Sequence, residues 1–157
     1  MSRRLTSAHP DREHDREIAL DLTVPAGSAR VAALREAARA FAEGHGAPRP
    51  HDVAGAVWEA CADALAHVDR GGGPALLRLT GGTTGTGVRF SITETPCGPS
   101  PPPDRLRSPR GLPLMAALAD EVKVTRCEGR MCVRLDFAVA PVPRDGPTVE
   151  EAERAEP

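Results

Sequence analysis

Trp58-Glu59-Ala60-Cys61-Ala62-Asp63-Ala64-Leu65-Ala66-His67 sets two carboxylates and an imidazole at successive i, i+4 positions. At about 3.6 residues per turn, Glu59, Asp63 and His67 form a slowly drifting polar stripe on one face of a helix, with alanine, valine and leucine around it. Such a stripe has two physical uses. It can be a solvated face, since charged residues mostly sit in water, or it can line a cleft where it binds a hard cation and accepts a proton. His67, near the end of the run, could also offset the helix dipole as a cation. Helical spacing does not separate these uses, so the order of the neighbouring elements has to.

Upstream of the stripe, Ile18, Leu20, Leu22 and Val24 alternate with polar or small residues and predict a half-buried strand over Glu17 to Val24. Pro25-Ala-Gly27 breaks it and Ser28 is a suitable N-cap. Val31, Leu34, Ala38 and Phe41 then recur at helical spacing until Gly44, predicting a helix from Ala29 to Glu43. After a turn at Gly44 to Pro50, the helix that carries the stripe runs from Asp52 to Val68, with Val53, Val57, Cys61, Ala64, Leu65 and Val68 inward.

Downstream, Asp69-Arg-Gly-Gly-Gly73 ends the helix. A hairpin follows, Ala75 to Thr80 and Gly87 to Glu94, joined through Gly81-Gly-Thr-Thr-Gly85. Thr95 to Arg110, with prolines at 96, 99, 101, 102, 103 and 109, is too irregular for a regular element and is a lid candidate. Gly111 to Ala119 reads as a short helix with Pro113 in its first turn, whose first N–H groups could hold an anion. Val122 to Cys127 and Met131 to Phe137 alternate as a closing hairpin. The order β-α-α-β-β-α-β-β predicts an α+β two-layer sandwich, one mixed or antiparallel sheet with helices on one face.

Composition narrows the function. The chain has 157 residues, a length that favours one domain, over 17–137, flanked by a disordered arm at 1–16 and a disordered acidic tail at 138–157. A net charge of -2 and 3% aromatic residues give no footprint for nucleic acid. With no apolar h-region at the N-terminus and no run long enough to span a bilayer, the reading is a cytoplasmic protein without membrane contact. The four cysteines, Cys61, Cys97, Cys127 and Cys132, include no C-x-x-C pair, and they read as reduced, mostly buried thiols. Lys123 is the only lysine, a bias of composition rather than of function.

The order of elements, with Glu59-x-x-x-Asp63-Ala64-x-x-His67 on one helix and Arg110-Gly111-Leu112-x-Leu114-Met115 opening the last, resembles the GHKL (histidine-kinase-like) ATPase superfamily and its Bergerat-type ATP-binding fold. Within it, the likeness is to bacterial anti-sigma-factor serine/threonine kinases and single-domain ATP-binding relatives, over residues 17 to 137. The resemblance implies ATP and Mg2+ as cofactors. It places Glu59 as general base and Asp63 at the metal position, where the family has asparagine. It places Glu94 as the carboxylate that reads the adenine amino group, with Pro96 two residues on where the family has a small residue. Arg110, Gly111 and Leu112 fall on the phosphate-binding turn, where Pro109 stands in place of the first glycine of Gly-x-Gly-Leu and Arg110 adds positive charge.

What the resemblance implies about activity is Mg-ATP-dependent phosphorylation of a serine on an antagonist protein, sequestration of a sigma factor, or both, with a homodimer possible. The alternative is a protein-binding module on the same fold whose nucleotide affinity has decayed, which the departures at Asp63, Pro96 and Pro109 favour. Glu59 in an otherwise apolar helix favours the enzyme, because a buried carboxylate without a use is costly.

Overall fold

The computed structural model describes residues 18–71, 74–97, 110–127 and 130–140. The terminal arm at 1–16, most of the lid candidate and the tail beyond 140 lie outside the described residues. The elements are β1 (Ile18–Pro25), α1 (Ser28–Gly44), α2 (Pro50–Gly71), β2 (Ala75–Thr83), β3 (Gly87–Pro96), α3 (Leu112–Leu118), β4 (Glu121–Cys127) and β5 (Arg130–Ala138). The strands form one antiparallel sheet in the order β1-β2-β3-β5-β4. The fold is therefore the expected α+β sandwich, with the sheet antiparallel throughout.

Alternation along the strands decides which side chains meet the helices. Leu77, Leu79, Val88, Phe90, Ile92, Val133, Leu135 and Phe137 point inward and are buried, and the register stacks them in rows, Leu79↔Ile92↔Val133 and Gly81↔Phe90↔Leu135. Against them pack Val31, Leu34 and Ala38 of α1 and Val53, Val57, Ala60 and Cys61 of α2. Two apolar faces at helical period meet one at period two, and each covers what the others would leave wet.

Several boundaries differ from expectation for local reasons. Ser28 is the first residue of α1 rather than its cap; Gly27 holds the cap position, its carbonyl accepting from the N–H groups of Arg30 and Val31 at 3.0 and 3.2 Å, with no side-chain cap bond. Gly44 remains in the helix, and the reversal comes at Gly46, whose φ of +76° lies in the left-handed region open to glycine. There the N–H of Ala47 closes on the carbonyl of Ala42 at 2.9 Å. Gly81 and Gly82 are not turn residues but part of β2. A Cβ at Gly81 would lie 3.1 Å from the ring of Phe90, so the missing side chain makes room for that ring. The turn itself is Thr84 to Thr86, where the Thr84 hydroxyl accepts from the N–H of Gly87 at 3.0 Å.

Ile18 does not continue the inward row of Leu20, Leu22 and Val24. A register irregularity between Ile18 and Leu20 leaves it exposed. β5 ends at Ala138, and Val139 beyond it packs on the core and donates its N–H to the carbonyl of Thr86 at 2.9 Å. No helix among the described residues is long and apolar enough to cross a membrane.

The thiols divide more sharply than expected. Cys61 is buried, Cys132 half-buried and Cys97 exposed, and all three are free; the side chain of Cys127 lies outside the described residues. Burial pushes the Cys61 thiol up from its ordinary 9.0 to about 12. The unfolded chain ionises this group first, so its contribution to stability is complete below pH 9.0 and is lost as the pH rises to about 12. The slope contributed is at most about 1.4 kcal/mol per pH unit. Wild-type Tm should therefore fall more steeply between about pH 9 and about pH 11 than that of Cys61→Ala, and parallel profiles would refute the assignment.

Candidate functional site

α2 presents Glu59 and Asp63 one turn apart, both half-buried, on the side where α3 begins. At Glu59 and Asp63 the stripe is thus not a solvated face. The backbone N–H of Gly111, immediately before α3, donates to Asp63 Oδ2 at 2.8 Å. A Cβ added at Gly111 would sit 3.0 Å from Asp63 Oδ2 and 3.0 Å from Glu59 Oε2. The main chain reaches both carboxylates at a distance that a side chain would obstruct. Backbone from an element 48 residues downstream is thereby joined to the two acids of α2.

Two features bring α3 this close. Gly55, one turn before Glu59, faces Leu118, whose Cδ1 would be 3.1 Å from a Cβ at that position. Met115 is fully buried and Leu112 packs against the core, so α3 is fastened by its apolar side while its start lies over the acids. Gly55 was not singled out in the sequence. Its signal is a helix-interior glycine exactly one turn from a carboxylate, costly by about 1 kcal/mol relative to alanine unless close packing requires it.

The other predicted residues are distributed as follows. Glu94 comes from the sheet layer: it stands on the inner face of β3 beside Leu77 and is 6% exposed, the one buried charged residue among those described. Pro96 ends β3 opposite Ala75, its side chain outside the described residues, and the next residue resumes bonding, Cys97 N–H to the carbonyl of Pro74 at 2.9 Å. Arg110 is exposed in the turn before α3. Gly111 and Leu112 open the helix as expected, with Pro113 in its first turn. The Gly111 N–H, expected to face an anion, is donated to Asp63, and the side chain of Leu112 belongs to the core. His67 lies on α2, with its side chain outside the described residues.

The donor set suits magnesium. Asp63 Oδ2 takes the Gly111 N–H and Oδ1 makes no hydrogen bond among the described residues, and magnesium takes oxygen ligands, commonly one or two carboxylates with phosphate oxygens and water. No group of three or more His, Cys, Asp or Glu among the described residues could enclose a metal unaided. An ion here would draw its remaining ligands from substrate and solvent.

A concavity of about 330 Å³ lies on the opposite face of the sheet and includes Arg89, Lys123 and Arg134. Its charge is already largely answered: Arg89 is paired with Asp136, and Arg134 lies 3.3 Å from Asp136 and 3.5 Å from Glu121. Among the described residues its lining includes no acidic side chain and no helix start. The α2–α3 junction is the stronger candidate.

A two-layer antiparallel sandwich with an acid-bearing second helix, met by the glycine turn before a short third helix, is consistent with an ATPase-type nucleotide-binding fold. The family model for the histidine kinase-like ATPase domain matches residues 24–137, and the chain belongs to that family. No curated protein gives a significant match to the chain. Membership supports an ATP-binding regulatory role.

Proposed function

We propose that this protein binds Mg-ATP at the α2–α3 junction and acts as a regulator of the anti-sigma-factor serine/threonine kinase type, moving the γ-phosphoryl group to a serine of an antagonist protein, with a sigma factor as the partner it sequesters. The observation that carries this reading is the meeting of Glu59, Asp63 and Gly111 at one point. Magnesium, when bound, neutralises phosphate charge; Asp63 is the residue that would hold it. Glu94 would accept a hydrogen bond from the adenine amino group, and Arg110 adds positive charge beside the phosphates. Glu59 orients the serine hydroxyl and takes its proton as the hydroxyl oxygen bonds to the γ-phosphorus and the bond to the β-phosphate oxygen breaks, releasing ADP. Positioning and charge neutralisation supply most of the rate in such transfers.

The second reading, a partner-binding module with weak nucleotide affinity, is favoured by one observation: the Gly111 N–H is donated to Asp63 and so is withheld from phosphate. Calorimetric titration with ATP and ADP, with and without magnesium, decides between them. Micromolar, magnesium-dependent binding is expected, weakened roughly ten- to a hundredfold in Glu94→Ala by loss of a charged hydrogen bond, and stripped of its magnesium dependence in Asp63→Ala. An absence of heat at millimolar nucleotide would leave the binding module as the function.

A further inference from the structure

We propose that Asp63 is a positioning residue with a separate duty for each oxygen: Oδ2 ties the start of α3 to α2 through the Gly111 N–H, and Oδ1 stays available to the magnesium of a bound nucleotide. The second duty rests on the nucleotide reading above; the first does not.

The geometry carries the first duty. The Gly111–Asp63 bond is 2.8 Å long, and a carboxylate acceptor makes the stronger kind of hydrogen bond. The turn comes within 3.0 Å of carboxylate oxygens on both Glu59 and Asp63, measured from where a Cβ would stand, so a side chain at 111 would push those carboxylates aside by a few tenths of an ångström and disturb the tie. Two other contacts hold the same junction, Leu118 over Gly55 and the buried Met115. They fix α3 against α2 but do not set how its first turn meets the acids.

The chemistry of the side chain carries the second. A carboxylate accepts at both oxygens, whereas a carboxamide accepts at one atom and donates at the other. Asparagine at position 63 would have to choose. Turned to accept from Gly111, it offers an NH2 group to the metal; turned to the metal, it sets that NH2 against the Gly111 N–H, donor against donor. Aspartate makes no such choice. The acid at this position lets the helix tie and a bound cation coexist, and α3 keeps its place whether or not nucleotide is present.

The test is amide exchange at Gly111, followed by 15N NMR on the full chain with and without Mg2+ and ADP, while the amides of Glu94 and Thr95 report the arrival of nucleotide. In the wild type, Gly111 should be protected in both conditions. Asp63→Ala should exchange about tenfold faster at Gly111 without ligand. Asp63→Asn should keep the protection without ligand and lose about tenfold of it once Mg2+ and ADP saturate the Glu94 and Thr95 shifts. Unaltered Gly111 protection in Asp63→Ala would overturn the tie. Loss of protection in the wild type on adding Mg2+ and ADP would overturn the division of duties. If Asp63→Ala speeds exchange while Glu94 and Thr95 never respond to millimolar Mg2+ and ADP, the tie stands and the nucleotide reading falls, together with the duty of Oδ1.

Discussion

Phe90→Ala is expected to cost about 3–5 kcal/mol, against a total stability of about 5–15 kcal/mol for a domain of this kind. The chain has three phenylalanines, and all of them meet here. Phe90 is fully buried, with Phe41 of α1 edge-on at 5.7 Å and Phe137 of β5 edge-on at 6.1 Å. Its ring therefore links the helix layer to two strands of the sheet, and Gly81 is cut away beneath it. Truncation removes the burial and both edge contacts, and the rigid strands around the ring cannot close on the void. Urea denaturation measures the loss as a shift in midpoint at constant slope. Phe90→Leu should cost much less, since it keeps most of the volume. A loss below about 1 kcal/mol for the alanine variant would mean that the site collapses, and that this contact does not join the layers.

Glu59→Gln should separate binding from chemistry. Glutamine keeps the shape of the side chain and removes its charge and its basicity, so affinity for Mg2+ and ADP should not weaken. Conversion of bound ATP to ADP in single-turnover experiments, in which water takes the place of the serine hydroxyl, should slow by about 10²–10⁴. The structure gives the reason to expect a division: Glu59 lies beside the Gly111 turn but holds no hydrogen bond there among the described residues, whereas Asp63 does. Equal losses in binding and turnover would make Glu59 a structural acid, and unchanged turnover would remove it from the chemistry altogether.

Much of this was readable in the chain because local periodicity suffices for it. Val31, Leu34 and Ala38 on α1 and Val88, Phe90 and Ile92 on β3 each carry their own period, and the structure buries all six. What failed depends on partners distant in sequence. Gly44 and Gly81 look alike to a local reading, yet one continues a helix that Gly46 ends and the other accommodates a phenylalanine from the next strand. Ile18 fits the alternation of its own strand but is excluded from the core by a register set by β2. The pairing of β3 with β5, which passes over β4, has no local signature either. The acidic stripe was visible from i, i+4 spacing. That Glu59 and Asp63 meet the start of α3 rather than water rests on a contact 48 residues away, and on Gly55, which permits the approach; no local spacing reports either.

The strand order has a consequence for the company the protein keeps in solution. Among the described residues the sheet is open at β1 and β4, and an open rim offers unpaired N–H and C=O groups on which a second chain could add as an extra strand. Both rims are unsuited to that. β1 is irregular at its start, charged at Asp21 and closed by Pro25, which has no N–H to give, while β4 exposes Glu121, the sole lysine Lys123 and Arg126 along its length. A stray strand would meet a broken register on one side and a row of fixed charge on the other, so the sheet is guarded against indiscriminate growth at either end.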